Sequence, residues 1–176
     1  DLQLIDGRIS STSFGAGAAS SISIVSDTAA VGDFGILTTA SGNTVNNGGD
    51  ISLTAVTSAN LNEAFIQAAT GGDANAGAVM ISAPTITVTD TSIFASTSAA
   101  GAAGAVTITG ETVSLANSGV STTAADGSTG ASGDVTLTGT TALSLSAGTQ
   151  IAANTLGTGD AGPVRLSSPS LPLNDA

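Results

Sequence analysis

The sequence predicts an all-β fold, a parallel β-helix (β-solenoid) of about six coils. Three observations predict it. Val or Ile recurs at intervals of 27 to 29 residues, each time two positions after a small residue. Another aliphatic residue follows each of them two positions later, which is the alternation of a β-strand. Gly, Ser, Thr and Val are frequent and no 3.6-residue pattern is present, which disfavours helices.

The first strand of each coil begins with the recurring Val or Ile. These residues are Ile22, Ile51, Val79, Val106, Val135 and Val164. Their partners two positions later are Ile24, Leu53, Ile81, Ile108, Leu137 and Leu166. Both members of each pair point into the core, and the residue between them points outward.

A second aliphatic pair predicts a second strand in each coil. The pairs are Leu2 with Leu4, Ala29 with Val31, Ile86 with Val88, Val113 with Leu115, Leu143 with Leu145, and Leu171 with Leu173. Coil two breaks the pattern, because Ser58 and Asn60 occupy the pair while Val56 and Leu61 flank it. We therefore predict a register slip or bulge there. Coil five carries two extra residues, which we assign to its corners.

A third strand and a long loop complete each coil. The strand is anchored at Ile9, Ile36, Phe65, Ile93, Val120 and Ile151. Three short strands cannot bury an apolar face within one coil, but stacked coils bury a continuous core. We expect residues 1–176 to be a single solenoid domain or a fragment of a longer solenoid. We take the coils to be right-handed from the general behaviour of such folds.

One segment has the character of a known repeat type. Residues 143–162, LSLSAGTQIAANTLGTGDAG, resemble the coils of filamentous-haemagglutinin-type bacterial exoproteins. Residues 73–77 and 101–104 resemble weaker copies of the glycine-containing loop that ends this segment. The resemblance implies export by two-partner secretion and an extracellular or cell-surface home. It also implies a part in adhesion, aggregation or contact-dependent competition.

The composition excludes most enzyme chemistry. The chain has 2 Lys+Arg against 13 Asp+Glu, for a net charge of -11, and it has no His, Cys or Lys. A Ser-His-Asp or Cys-His pair, a Schiff base and a zinc site with N or S ligands are therefore excluded. With Arg8 and Arg165 as the only basic residues, we expect no nucleic-acid binding. No apolar stretch reaches 18 residues, so we expect no membrane insertion.

A column of Asp and Asn marks the corner between the second and third strands. Its members are Asp6, Asp33, Asn62, Asp90 and Asn117. Asp33 and Asp90, with Glu63 beside Asp90, are weak candidates for a Ca²⁺ site, since calcium takes oxygen ligands. Asx residues also hydrogen-bond their own turn backbone, and we favour that interpretation. We therefore predict no metal and no other cofactor.

Two other functions stay open as alternatives. Glu63 and Asp90, on neighbouring coils, are the only carboxylate pair we can place for polysaccharide hydrolysis, and no aromatic sugar platform accompanies them. A threonine column before the second strand suggests binding of ice or carbohydrate as the other alternative. Its members are Thr28, Thr57, Thr85, Thr112 and Thr141.

Leu37, Ile66 and Phe94 follow the third-strand anchors directly, so alternation points them outward. Three large apolar side chains on adjacent coils would form an exposed stripe, which is typical of a contact surface. We predict self-association through this stripe or through the solenoid ends, with surface glycans of a host or neighbouring cell as a further partner class. The sequence thus favours a non-enzymatic structural or adhesive segment.

Overall fold

The computed structural model describes residues 1–15, 17–41 and 47–174, and its regular structure is all β. In these residues the strands are β1 (Leu2–Ile5), β2 (Ile9–Ser13), β3 (Ile22–Gly32), β4 (Gly35–Ala40), β5 (Ile51–Asn62), β6 (Phe65–Thr70), β7 (Val79–Ser82), β8 (Thr85–Thr89), β9 (Ser92–Thr97), β10 (Val106–Ala116), β11 (Gly119–Ala124), β12 (Val135–Ser146), β13 (Gln150–Thr155), β14 (Val164–Ser167) and β15 (Leu173–Asn174). They form two sheets.

Both sheets are parallel and follow the predicted repeat. The nine-stranded sheet runs β1-β3-β5-β7-β10-β12-β14, with β8 pairing β5 and β10, and β15 pairing β12. The six-stranded sheet runs β2-β4-β6-β9-β11-β13. Residue pairs in register across the first sheet are Ile22 with Ile51, Ile51 with Val79, Val79 with Val106, Val106 with Val135, and Val135 with Val164. The predicted β-solenoid of about six turns is confirmed.

Each complete coil presents three strand segments. The first two lie in the nine-stranded sheet, where β3, β5, β10 and β12 run through the corner between them as single strands. In the coil of β7 and β8 the corner holds Ala83 and Pro84 instead. Proline lacks an amide hydrogen and cannot donate to a strand ladder. Its carbonyl still accepts hydrogen bonds from the N–H groups of Glu111 and Thr112, both at 2.9 Å.

The core is made of aliphatic columns that run along the solenoid. Apart from the second pair of coil two, the predicted inward positions of the first two segments are buried in the middle coils, and the residues between them are half-buried or exposed. Fully buried large side chains include Leu53, Ile81, Ile108 and Leu137 from the first segment, and Leu61, Ile86, Leu115 and Leu143 from the second. The third segment contributes Ile36, Ile66, Ile93 and Val120. Side chains from both sheets therefore fill one continuous core.

The small residue that precedes each recurring Val or Ile lies where the backbones of consecutive coils approach closely. A Cβ on Gly104 would lie 1.9 Å from the carbonyl oxygen of Gly77, and a Cβ on Gly77 would lie 2.0 Å from that of Gly49. Gly133 and Gly162 continue the column with clashes of 2.1 Å. No side chain fits between the two backbones. The recurring small residue in the sequence therefore marks this close contact between coils.

Coil two holds the predicted irregularity, which shifts the register of all the residues that follow it in this coil. Ser26 pairs with Ala55 but Thr28 pairs with Ser58, so β5 contains one extra residue at the corner. A slip of one residue turns every following side chain to the other face. The second inward pair of this coil is therefore Ala59 and Leu61, where the sequence pattern gave Ser58 and Asn60.

The same extra residue displaces the third-strand anchor of coil two. Ile36 pairs with Ile66, which is fully buried, whereas Phe65 is exposed. The prediction of Phe65 as an anchor was wrong. The two extra residues predicted in coil five are confirmed at corners: one lies between Gly139 and Ala142, and the other in the turn at Ala147 and Gly148.

Candidate binding surface

Each described turn from a second to a third segment passes through one residue in the left-handed conformation. These residues are Asp6 (φ 53°), Asp33 (φ 61°), Glu63 (φ 54°), Asp90 (φ 49°), Asn117 (φ 47°) and Ala147 (φ 52°). We call them the left-handed column. Asp and Asn adopt this conformation more readily than most residues, which explains the Asx pattern of the sequence. In coil two the member is Glu63, so the prediction of Asn62 was wrong, and Asn62 is the last residue of β5.

The three weak calcium candidates are all in this column, on consecutive coils. Asp33, Glu63 and Asp90 are exposed. Among the residues that the structure describes, no three acidic groups lie together as a set that could hold a metal ion. The carboxylate of Asp90 accepts a hydrogen bond from the side-chain amide of Asn117 on the next coil. The column thus presents separate surface carboxylates, and the absence of a bound metal stays a prediction.

Buried hydroxyls lie beneath the column and fix the turns to one another. The hydroxyl of Thr91 donates to the carbonyl of Thr89 at 2.8 Å and accepts from the N–H of Ala64 at 3.1 Å. One coil on, the Ser118 hydroxyl donates to the Ala116 carbonyl at 2.7 Å and accepts from the N–H of Thr91 at 3.2 Å. The turns are therefore cross-linked by hydrogen bonds between coils.

An exposed apolar patch lies directly beside the column, on coils one to three. The aromatic patch, as we call it, comprises Phe34, Leu37, Phe65 and Phe94. Phe34 is 58% exposed and Phe65 is 39% exposed. The rings of Phe65 and Phe94 meet edge to face, with centroids 4.9 Å apart. Exposed apolar clusters of this kind mark contact surfaces in proteins.

The predicted stripe is only partly correct. Leu37 and Phe94 are outward and half-buried on the six-stranded sheet. Ile66 is fully buried in the core, because the bulge of coil two moves the outward position from Ile66 to Gln67. Gln67 pairs with Leu37 on one side and with Phe94 on the other.

The carboxylate pair proposed for hydrolysis lies on an outer turn. Glu63 and Asp90 occupy the same position on neighbouring coils, and both are exposed. A surface notch opens further along the same edge and is lined by Asn117, Ser118, Gly119, Gly148 and Gln150. Its lining has amide and hydroxyl groups but no carboxylate. The pair and the notch therefore do not combine into one acid–base site.

The threonine column is interrupted in the structure. The residues in register are Thr28, Ser58, Thr85, Thr112 and Ala142. Thr57 and Thr141 were wrongly assigned to it, because each lies at a corner with an extra residue. Two Thr-x-Thr pairs do stack elsewhere, Thr107 with Thr136 and Thr109 with Thr138. Met80 and Arg165 flank the first of these rows, so the array covers two coils only.

Phe34 and Phe65 were not recognised as surface residues from the sequence, although a signal exists. The left-handed residue follows the second aliphatic residue by two positions and precedes the third-strand anchor by three, as in Val88, Asp90 and Ile93. Counting in this way from Leu61 leads to Glu63 and then to Ile66, and it leaves Phe65 outside the core.

Comparison of the chain with protein-family models, with curated proteins and with solved structures found no significant match to any of them. Within the described ranges, no helix has the length and hydrophobicity needed to cross a membrane.

Proposed function

We propose that the chain is a structural and adhesive segment of a secreted or cell-surface bacterial protein, and that it performs no catalysis. In this proposal the solenoid is a stiff support whose side faces present contact surfaces. The resemblance of its coils to filamentous-haemagglutinin-type repeats supports the extracellular setting. The lack of His, Cys and Lys supports a non-catalytic role.

One observation supports the mechanical role above all others: hydrogen bonding between coils continues outside the strands. In the long loop, Asn75 N–H donates to the side-chain oxygen of Asn47 at 3.2 Å, and Ala102 N–H donates to that of Asn75 at 2.9 Å. The carboxylate of Asp50 likewise accepts from the N–H of Ala78 at 2.8 Å. Each coil is thus bonded to the next on its loop side as well as through its sheets.

Repeat proteins with such nearest-neighbour bonding resist bending because each coil is fixed by the two beside it. At about 4.8 Å per coil, the spacing between strands of a sheet, six coils give a length near 30 Å. The outward faces do not contribute to the core and are free to vary for binding. A solenoid whose core gives stiffness and whose outward faces are available for binding suits an adhesive support better than an enzyme, which needs a concave site.

Surface display tests the proposal. The chain is displayed on a laboratory bacterium, and cell aggregation and retention on solid and cell surfaces are measured. The controls are the display scaffold alone and the chain with Ile108→Asp, which we expect to be unfolded. We expect retention only with the folded chain. Retention equal to that of the scaffold alone would overturn the adhesive role, and release of reducing sugar from polysaccharides by the purified chain would overturn the non-catalytic role.

A further inference from the structure

The aromatic patch differs in chemistry from the rest of its sheet face. Phe34, Leu37, Phe65 and Phe94 lie within three consecutive coils, whereas the other outward side chains of the six-stranded sheet are mostly small or polar. Phe65 is flanked in register by Gly35 and Ser92. Because these neighbours are small, the part of the Phe65 ring that does not pack against Phe94 is open to a partner.

Most of the charges around the patch are negative. The exposed carboxylates of Asp33, Glu63 and Asp90 border it on the three coils that carry the rings. Of the two basic residues of the chain, Arg165 is bonded to Asp134 at 2.7 Å. Arg8 is exposed and lies one residue before Ile9, which pairs with Ile36, so it flanks the patch beside Gly35. The three carboxylates outnumber this one cation. A partner at this surface therefore meets apolar rings and negative charge together.

We propose that the aromatic patch is the docking surface for a cationic polypeptide segment, rich in Arg or Lys and interspersed with apolar side chains. The cations lie over the ring faces of Phe34 and Phe65 and beside the carboxylates of Asp33, Glu63 and Asp90. The apolar side chains cover Leu37 and Phe94. The proposal rests on the adhesive function proposed above and names the class of partner for it.

Charge complementarity selects this occupant over the others. Cations are attracted to aromatic faces and to carboxylates alike, so one segment satisfies both features of the surface. A second copy of the chain would bring the same carboxylates face to face, at a net charge of -11 for each molecule. A neutral glycan would use the rings but gain no attraction from the net charge at the rim.

Calorimetric titration with synthetic peptides tests the proposal. The probe is a short peptide of alternating Arg and Leu. A peptide of alternating Arg and Ser retains the charge without the apolar side chains, and a peptide of alternating Glu and Leu reverses the charge. We expect the Arg-Leu peptide to bind best, the Arg-Ser peptide about tenfold more weakly and the Glu-Leu peptide not at all.

Two sets of variants locate the binding. Phe65→Ser with Phe94→Ser, and separately the triple Asp33→Asn, Glu63→Gln and Asp90→Asn, are each expected to weaken the Arg-Leu peptide by about tenfold. The matched control changes three exposed loop carboxylates by the same charge: Asp73→Asn, Asp126→Asn and Asp160→Asn. We expect this control to stay within about twofold of the unchanged chain. If the double Phe variant does not fold, the single Phe34→Ser replaces it.

Equal weakening by the loop control would overturn the proposal in favour of diffuse attraction, and an unchanged affinity in both Phe variants would overturn it as well. So would binding of neutral oligosaccharides in place of the peptide, or self-association that the Phe variants abolish. The adhesive function is judged separately, because the patch variants are also compared in the display experiment. A chain that binds no peptide but still retains cells rejects the cationic partner alone.

Discussion

The hydroxyl of Thr91, a residue that is only 1% exposed, accepts a hydrogen bond of 3.1 Å from the backbone N–H of Ala64 on the preceding coil. It also donates to the carbonyl of Thr89. One buried side chain thus satisfies a donor and an acceptor from two different coils. These two hydrogen bonds help to order the turns of the left-handed column.

Replacement of this hydroxyl is expected to be costly. Thr91→Val keeps the shape but leaves the buried N–H of Ala64 without its partner, so the free energy of unfolding is expected to fall by about 1–3 kcal/mol. Thr91→Ser keeps the hydroxyl and is expected to cost about 1 kcal/mol or less. Urea unfolding followed by circular dichroism measures both. Equal stability of the Val and Ser variants would contradict the role of the hydroxyl.

The glycine column makes a second prediction. Gly104→Ala would place a Cβ 1.9 Å from the carbonyl oxygen of Gly77, and the coils must separate to accept it. We expect a loss of about 1–3 kcal/mol in the free energy of unfolding, as for overpacked sites. The control is Gly119→Ala, since nothing lies within 4 Å of its Cβ position. We expect the control to change stability by about 0.5 kcal/mol or less.

The corrected register of coil two is tested by two adjacent residues. Ile66→Ala empties a fully buried site and is expected to cost about 2–5 kcal/mol. Phe65→Ala removes an exposed ring that packs on Phe94 and is expected to cost about 1 kcal/mol or less. Chemical denaturation of both variants gives the comparison. A larger loss for Phe65→Ala would restore the original assignment of Phe65 as the anchor.

The fold was predictable because its constraint repeats. Each coil must bury aliphatic residues at the same positions as its neighbours, so Ile81, Ile108 and Leu137 reveal one column even though no single coil is distinctive. The glycine contact is equally regular. A periodic signal of this kind survives local variation, since six coils report the same geometry.

The surface was less predictable because one bulge is enough to invert it. The extra residue between Ala55 and Ser58 has no fixed signature, since several residue types tolerate a corner. Without this extra residue, the pattern assigns Phe65 to the core and Ile66 to the surface, and the aromatic patch is not predicted. Outward residues also vary freely from coil to coil, so no column of Phe exists to reveal the patch. Its position depends on the register alone.

The inward and outward faces of the first segment give the last prediction. Ile108 pairs with Ile81 and Leu137, and all three are buried. Ile108→Asp places an unpaired charge among them, a cost that exceeds what most single domains can bear. Because each coil depends on its neighbours, we expect several coils to unfold together, with loss of strand signal and rapid amide exchange on both sides of the substitution.

Thr107→Asp is the matched control for Ile108→Asp, because it introduces the same charge one residue away on the same strand. Thr107 points outward between Met80 and Thr136 and is half-buried, so its carboxylate reaches water. We expect this variant to change the free energy of unfolding by about 0.5 kcal/mol or less. Ile108→Val, which keeps the site apolar, is expected to cost about 0.5–1.5 kcal/mol. If Thr107→Asp were as damaging as Ile108→Asp, the assigned faces of the first segment would be wrong, and with them the alternation on which the whole solenoid rests.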